Sequence, residues 1–167
     1  MSNLGPQETD ARPTVYVETS VISYLAADPS GDVVTRAHQK ITKEWWSRTS
    51  RWELIVSGTV LREALRGNHS TAMKRLGLLV GFNVLQVDSE VRRLRDELMS
   101  RRIFPTKARS DAEHVAIAAV NGLDFLVTWN LKHIANAMIR ARAEAICRAC
   151  GYEPPVICTP DQMLQEN

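Results

Sequence analysis

Five short apolar runs, separated by segments with helical periodicity, constrain the fold of this 167-residue chain most strongly. The runs are nearly continuously apolar and contain many β-branched residues, as expected for strands that are buried on both faces of a parallel sheet. Strands that alternate with helices predict an α/β fold, a three-layer α/β/α sandwich with a mainly parallel central sheet. The predicted strands are residues 14–17, 54–56, 84–87, 125–128 and 156–158.

Apolar periodicity and capping patterns predict helices between these strands. Thr59 and Ser70 are expected to cap two of them, and Ser110 with Glu113 forms a capping-box pattern for another. A last helix follows the fifth strand, with Gln162 as its capping-box residue. The other predicted helices are residues 32–50, 60–65, 71–80, 89–101, 111–121 and 131–150.

Length and composition limit the class of protein. One domain is expected over residues 14–167, after a polar, flexible tail over residues 1–13. The net charge of +2 excludes a polycationic nucleic-acid coat and an acidic tail protein, but it does not exclude a nuclease. No apolar run reaches the length of a membrane helix, and the N-terminus lacks a secretory signal, so we expect a cytoplasmic protein.

The three cysteines lie near the end of the chain. An odd number of clustered cysteines makes a disulfide framework improbable, and three soft ligands fall short of the four of a structural zinc site. We therefore expect reduced thiols at Cys147, Cys150 and Cys158.

Polar residues follow the predicted strands at the points where a parallel sheet binds ligands. Glu18 directly follows the first strand, and Glu63 lies on the helix after the second. Asp111 lies in the first turn of the helix before the fourth strand, and Asn130 follows that strand. Because ligands collect beyond the carboxyl ends of parallel strands, we expect these four side chains to converge on one edge.

Carboxylates that crowd together repel one another unless a cation neutralises them. Mg²⁺ or Mn²⁺ suits carboxylate and water ligands and commonly bridges to a substrate phosphate. Glu18, Glu63 and Asp111 are the expected metal ligands. The hydroxyls of Thr19, Ser20 and Thr128 would support the carboxylates by hydrogen bonding.

Four segments together resemble the PIN-domain ribonucleases, including the VapC-type toxins of toxin–antitoxin pairs. The resemblance implies a three-layer α/β/α fold and RNA cleavage that depends on Mg²⁺ or Mn²⁺. It also implies RNA as the substrate, a cognate antitoxin protein as a partner and a homodimer. The segments are VYVETSVISYL (15–25), TVLREALRGN (59–68), SDAEHVAIAAVNGLDFLVTWNLKHIANA (110–137) and VICTPDQML (156–164).

Carried over by position, the four acidic sites of this family fall on Glu18, Glu63, Asp111 and Asn130. Glu18 stands where aspartate is usual, so the carboxylate reaches one methylene further. Asn130 replaces the usual fourth carboxylate, although its amide oxygen can still bind a metal or orient a water molecule.

Several of these residues have a simpler alternative role. Asn130 is equally explained as the cap of the following helix. His133, like His114, is better explained as a hydrogen-bonded structural histidine, although either could contact a phosphate or act as an acid. The loss of the fourth carboxylate leaves a second hypothesis open, an inactive or weakly active module that binds RNA or protein.

A basic segment precedes Asp111. A solvated loop is the alternative explanation of this charge, but a basic strip beside an acidic centre can guide phosphates. The candidate RNA contacts are Arg101, Arg102, Lys107 and Arg109.

Overall fold

Within residues 11–164, which the computed structural model describes, five parallel strands form one central sheet. The strands are β1 (Thr14–Val17), β2 (Glu53–Ser57), β3 (Asn83–Leu85), β4 (Phe125–Val127) and β5 (Val156–Cys158). Their order is β3-β2-β1-β4-β5, with every neighbouring pair parallel. All five predicted strands are confirmed, and their ends differ from the prediction by at most two residues.

Helices cover this sheet in the three-layer α/β/α sandwich that the sequence predicts. The helices are α1 (Thr19–Ala26), α2 (Val33–Trp46), α3 (Gly58–Ala64), α4 (His69–Leu78), α5 (Ser89–Ser100), α6 (Arg109–Val120), α7 (Ala137–Ala149) and α8 (Pro160–Leu164). Helices α5 and α7 both pack against α6, whereas α1 contacts α2 and α4, and α2 contacts α8.

The hydrophobic core is built around β1 and α6. Val15, Tyr16 and Val17 in the central strand have no exposed surface. Every residue of α6 from Ala112 to Ala119 is buried, and half of these residues are alanines. Small side chains allow this helix to pack closely against its neighbours, so it positions its polar residues within the protein interior.

Two predicted helix caps are wrong because the helices begin earlier than the sequence pattern indicates. Ser57 caps α3 and Asn68 caps α4, each by accepting a hydrogen bond from a backbone N–H of the first turn. Thr59 and Ser70 therefore lie inside the first turns of these helices, where their hydroxyls are free to make other contacts.

The capping box of Ser110 and Glu113 is also wrong. Helix α6 follows a 3₁₀ turn and begins at Arg109, and no side chain caps its first turn. Ser110 is thereby shifted into the helix and donates a hydrogen bond to Glu63 instead. Glu113 faces the interior, away from the helix terminus.

The predicted helix over residues 131–150 is shorter than expected. It begins at Ala137 and is capped by Asn136, because residues 131–135 form a series of turns. In contrast, the capping box at the last helix is confirmed, since Gln162 Oε1 accepts a hydrogen bond from the backbone N–H of Thr159 at 3.0 Å.

Most of the predicted N-terminal tail (1–13) lies outside the described residues. Residues 11–13 are exposed and have no regular structure, and Arg12 donates a hydrogen bond to the carbonyl of Ser50.

In the described part of the chain, no helix combines the length and the apolar character needed to cross a membrane. The thiols of Cys147 and Cys158 are buried, and that of Cys150 is exposed.

Glu113 forms a buried ion pair that joins three helices. Its Oε2 accepts a hydrogen bond from Arg95 of α5 at 2.5 Å. Its Oε1 accepts from Arg62 at 2.9 Å and from the hydroxyl of Thr59 at 2.5 Å, both in α3. Burial alone would raise the pKa of Glu113, but the hydrogen bonds from Thr59, Arg95 and Arg62 outweigh this effect and lower it.

We predict that Glu113→Gln lowers the free energy of unfolding by about 2 kcal/mol, because the variant removes a charged hydrogen bond from the buried Arg95 and leaves it with only the exposed Asp96 as a carboxylate partner. Chemical denaturation at neutral pH measures this loss. The matched control is Glu44→Gln, which removes an exposed ion pair with Arg48 and should cost at most about 0.5 kcal/mol. Equal losses for the two variants would contradict the assignment.

The same ion pair predicts a pH dependence. Because the folded protein lowers the pKa of Glu113, its contribution is fully present above the ordinary glutamate value of 4.5. The contribution disappears as the pH falls through the lowered value. The stability difference between wild type and Glu113→Gln should therefore shrink below about pH 4.5.

Candidate metal centre

The candidate site lies where the strand order reverses. The chain adds β2 and β3 on one side of β1, and then adds β4 and β5 on the other side. The crevice between β1 and β4, beyond their carboxyl ends, is the usual position of a ligand in such a sheet. Glu18 follows β1 and Thr128 follows β4, and the Thr128 hydroxyl donates to Glu18 Oε2 at 2.7 Å.

Glu18 is a buried carboxylate that also caps α1. It is 5% exposed. Its Oε2 accepts hydrogen bonds from the backbone N–H of Ser20 at 3.1 Å, from the Ser20 hydroxyl and from Thr128. All of these donors act on a single oxygen, so Oε1 is left facing the crevice, where His114 Nε2 lies 3.9 Å away.

Glu63 projects from α3 towards the same crevice. Thr19 donates its hydroxyl to Oε2 at 2.5 Å, and Ser110 donates its hydroxyl to Oε1 at 2.7 Å. Burial alone would raise the pKa of Glu63, but the hydrogen bond and charge of His114 outweigh it, together with the two hydroxyls. These contacts lower the pKa of Glu63 to about 2, so the carboxylate is ionised at neutral pH.

The sequence analysis did not predict that His114 would contact the carboxylates of this site. It is 1% exposed, and its Nε2 lies 3.0 Å from Glu63 Oε2. Burial alone would lower the pKa of His114, but the hydrogen bond to Glu63 and the neighbouring charges raise it. One signal was available in the sequence, since His114 follows Asp111 by three residues and therefore lies one helical turn away.

Of the predicted ligands, Glu18 and Glu63 lie together, but Asp111 does not join them directly. Asp111 Oδ2 is hydrogen-bonded to His133 Nδ1 at 2.7 Å. Asp111 is nevertheless close enough for its charge to act on His114.

Asn130 has a different role from the predicted helix cap. Its Oδ1 accepts the backbone N–H of His133 at 3.1 Å and so closes a turn ahead of α7. Its own backbone N–H donates to the hydroxyl of Thr128 at 2.9 Å. The side chain of Asn130 thus holds the loop that carries His133 beside Asp111.

The donor groups of this site fit a divalent cation. Glu18, Glu63 and His114 each offer one ligand atom, and these atoms all lie within 4.8 Å of one another. A buried carboxylate beside a partly buried one needs a positive partner, and hydroxyls already orient both of them. A hard divalent ion satisfies this requirement with oxygen ligands.

A basic cleft lies beside the acidic residues. It has a volume of about 440 Å³ and contains two of the predicted RNA contacts, Lys107 and Arg109. Arg101 and Arg102 do not line it, and Arg101 is instead paired with Glu97 at 2.7 Å. The lining residues of this basic cleft are Arg62, Arg66, Arg95, Lys107, Arg109, Ser110 and Glu113.

Comparison with known proteins identifies the fold. No protein-family profile matches the sequence, and no curated protein matches it. Among solved structures, VapC20 of Mycobacterium tuberculosis, a toxin that cleaves the sarcin–ricin loop, is 19% identical with a TM-score of 0.56. That match covers 84% of this chain and 99% of VapC20.

A second match is VapBC2 of Rickettsia felis, solved bound to a DNA fragment from its promoter. It is 12% identical with a TM-score of 0.57, and it covers 87% of this chain and 98% of the matched chain. At this level of identity the likeness concerns the fold. The chain has the fold of the VapC proteins, which confirms at that level the resemblance to PIN-domain, VapC-type proteins that its motifs predict.

Proposed function

We propose that this chain is an endoribonuclease that depends on Mg²⁺ or Mn²⁺ and acts as the toxin of a type II toxin–antitoxin pair. The observation that carries this proposal is the pair of neighbouring carboxylates, the buried Glu18 and the partly buried Glu63, at the carboxyl edge of a sheet with the VapC fold. The fold alone does not specify an activity, so the chemistry of these side chains is the main support.

Glu18, Glu63 and Asp111 would hold the cation. When bound, a divalent cation would activate a water molecule and neutralise charge on the phosphate. The protein's own residues orient the ligands: Ser20 and Thr128 fix Glu18 through Oε2. Thr19, Ser110 and His114 fix both oxygens of Glu63. The carboxylates are thereby preorganised and need little rearrangement when they bind the ion.

Asp111 and His133 would transfer a proton during cleavage. Hydrolysis of a phosphodiester adds a water oxygen to phosphorus and leaves a ribose oxygen that must be protonated. His133 is hydrogen-bonded to Asp111 through Nδ1, which leaves Nε2 as the nitrogen that can face a substrate. Asn130 supports this arrangement by holding the backbone of His133.

The basic cleft would receive the RNA backbone next to the cleaved bond. Glu113 lines it but is already paired with Arg62 and Arg95, so Arg66 and Lys107 contribute charge that no described carboxylate balances. Ser110 also lines the cleft and contacts Glu63, which joins the cleft to the metal centre. Phosphate contacts of this kind position RNA without reading its sequence.

The remaining parts of the proposal follow from the resemblance to VapC proteins. They are a cognate antitoxin as protein partner, a homodimer and a cytoplasmic location. VapBC2 supports the antitoxin partner, since that matched structure is of a VapBC complex.

One observation favours a second candidate, a PIN-like module that binds RNA or protein and cleaves weakly or not at all. Asn130 stands at the fourth acidic position of the family and is engaged in holding a turn. Calorimetry with Mn²⁺ beside an RNA-cleavage assay separates the two candidates. Metal binding with turnover supports the nuclease, whereas RNA binding without metal binding or cleavage supports the module.

We predict that Asp111→Asn lowers metal-dependent cleavage of a mixed RNA pool by about 100-fold or more, because it removes a charge from the acidic group. Initial rates with Mn²⁺ measure the loss. Glu153→Gln is the control, since it neutralises an exposed carboxylate paired with Arg148 and should cleave like wild type. Unchanged cleavage by Asp111→Asn would refute the assignment.

For the basic cleft, we predict that the double variant Arg66→Gln with Lys107→Gln binds RNA about tenfold more weakly in the absence of divalent metal. Each lost phosphate contact should reduce the slope of log affinity against log salt by about 0.7. Fluorescence anisotropy over a salt series measures both quantities. Arg102→Gln serves as the control outside the cleft, and an equal effect there would contradict the proposed path.

A further inference from the structure

His114 has no counterpart in the four acidic positions that the family resemblance implies. It is a fully buried imidazole on α6, and it faces the two carboxylates that are closest together in the candidate metal centre. Glu18 is buried and Glu63 is partly buried, so an imidazole between them serves as a charged partner or as a third ligand to a shared cation.

The spacing around His114 Nε2 is that of ligands to a common ion. The distance from Nε2 to Glu63 Oε2 is 3.0 Å, and that from Nε2 to Glu18 Oε1 is 3.9 Å. Atoms bound about 2.1 Å from one ion lie at most about 4.2 Å apart. Both nitrogen–oxygen pairs already satisfy this limit. Glu18 Oε1 also accepts no hydrogen bond from the described residues that fix Oε2, so it is available as a ligand.

The other ring nitrogen is held in the way that metal-binding histidines usually are. Nδ1 is hydrogen-bonded to the hydroxyl of Tyr16 at 2.7 Å, and that hydroxyl also lies 2.7 Å from Ser57 Oγ. Tyr16 can accept from Nδ1–H while it donates to Ser57. This arrangement fixes the plane of the ring and directs Nε2 towards Glu63 Oε2, so that a bound ion would take the place of the proton between these two atoms, which is released to solvent.

We infer that His114 binds the metal together with Glu18 and Glu63, and that this mixed nitrogen and oxygen site favours first-row transition ions over Mg²⁺. Mg²⁺ takes oxygen ligands almost entirely, whereas a nitrogen ligand adds affinity for first-row transition ions, least for Mn²⁺ and more along the series to Cu²⁺. Tyr16 is then a positioning residue that acts through His114. The inference rests on the metal-binding part of the proposed function and adds a ligand and a selectivity to it.

The direct test uses the wild-type protein with Mn²⁺ as the probe, without RNA. Pulsed electron paramagnetic resonance of bound Mn²⁺ should reveal coupling to a ¹⁴N nucleus, and selective ¹⁵N labelling of histidine should replace that signal with a ¹⁵N signal. Absence of any histidine coupling to bound Mn²⁺ would overturn the inference. This measurement needs no substitution and does not depend on catalytic activity.

Variants identify which histidine is responsible. His114→Gln should lose the nitrogen coupling and bind Mn²⁺ about 10- to 100-fold more weakly, with a smaller change for Mg²⁺. His133→Gln is the matched control and should retain the coupling, because His133 contacts Asp111 and lies outside the three-ligand group. Coupling that disappears in His133→Gln and persists in His114→Gln would overturn the assignment.

A third variant covers the case in which His114→Gln does not fold. Tyr16→Phe keeps the imidazole but removes the hydrogen bond to Nδ1, so it should keep the ¹⁴N coupling and weaken Mn²⁺ binding by about tenfold. Calorimetry should give wild type at least about tenfold tighter binding of Mn²⁺ than of Mg²⁺. Equal affinities for the two ions would overturn the selectivity.

The outcomes separate this inference from the proposed nuclease activity. Histidine coupling without RNA cleavage would support the ligand and contradict the nuclease. Cleavage with Mn²⁺ or Mg²⁺ but without histidine coupling would support the nuclease and overturn the ligand.

Discussion

The position of a buried carboxylate, Glu18, beside a partly buried one, Glu63, is the constraint on which the rest of this structure depends. In a low-dielectric interior, one of two neighbouring carboxylates would take up a proton, or the two would move apart, unless hydrogen-bond donors satisfy their oxygens. Here the donors come from α1, from the end of β4 and from α6, so each carboxylate joins elements that are distant in sequence. The site therefore cannot form until the sheet and its covering helices have assembled.

The position of β1 in the centre of the sheet follows the same logic. Only a strand with a neighbour on each side can bring Glu18 into contact with Thr128 from β4 and leave room for Glu63 from the helix after β2. The adjoining helix α6 must then approach closely to insert His114 and Ser110. Its run of buried alanines makes that approach possible. The close packing of α6 therefore produces both the apolar core and the polar site.

The sequence was sufficient to predict what depends on local pattern. Short apolar strands, their alternation with helices and the strand-end location of Glu18 all follow from periodicity and from the strand-end rule. The fate of Glu113 could not be predicted in this way, because its partner Arg95 lies on another helix. The capping-box interpretation paired Glu113 with Ser110, three residues earlier in the chain. In the structure, Glu113 instead forms an ion pair with Arg95 of another helix.

The contacts of His114 and Asn130 could not be predicted from local sequence for a related reason. A histidine on an apolar helix face is usually a structural residue, and only the contact between β1 and α6 reveals that Tyr16 anchors one nitrogen while the other meets Glu63. The turns over residues 131–135 separate Asn130 from the helix it was expected to cap. In both cases the deciding information is the three-dimensional path of a neighbouring segment.

The missing charge at Asn130 and the imidazole of His114 are best considered together. Relative to the four carboxylates of the family pattern, this site has the neutral amide of Asn130, which holds a turn, in place of one negatively charged oxygen donor. It also brings a nitrogen donor, His114, next to Glu18 and Glu63. A fourth carboxylate near these groups would increase their mutual repulsion, whereas an imidazole decreases it whether it carries a proton or binds a metal. The substitution at Asn130 is then consistent with a site whose donor set has changed in kind, from oxygen alone to oxygen and nitrogen, and a preference among metal ions is the physical consequence of that change.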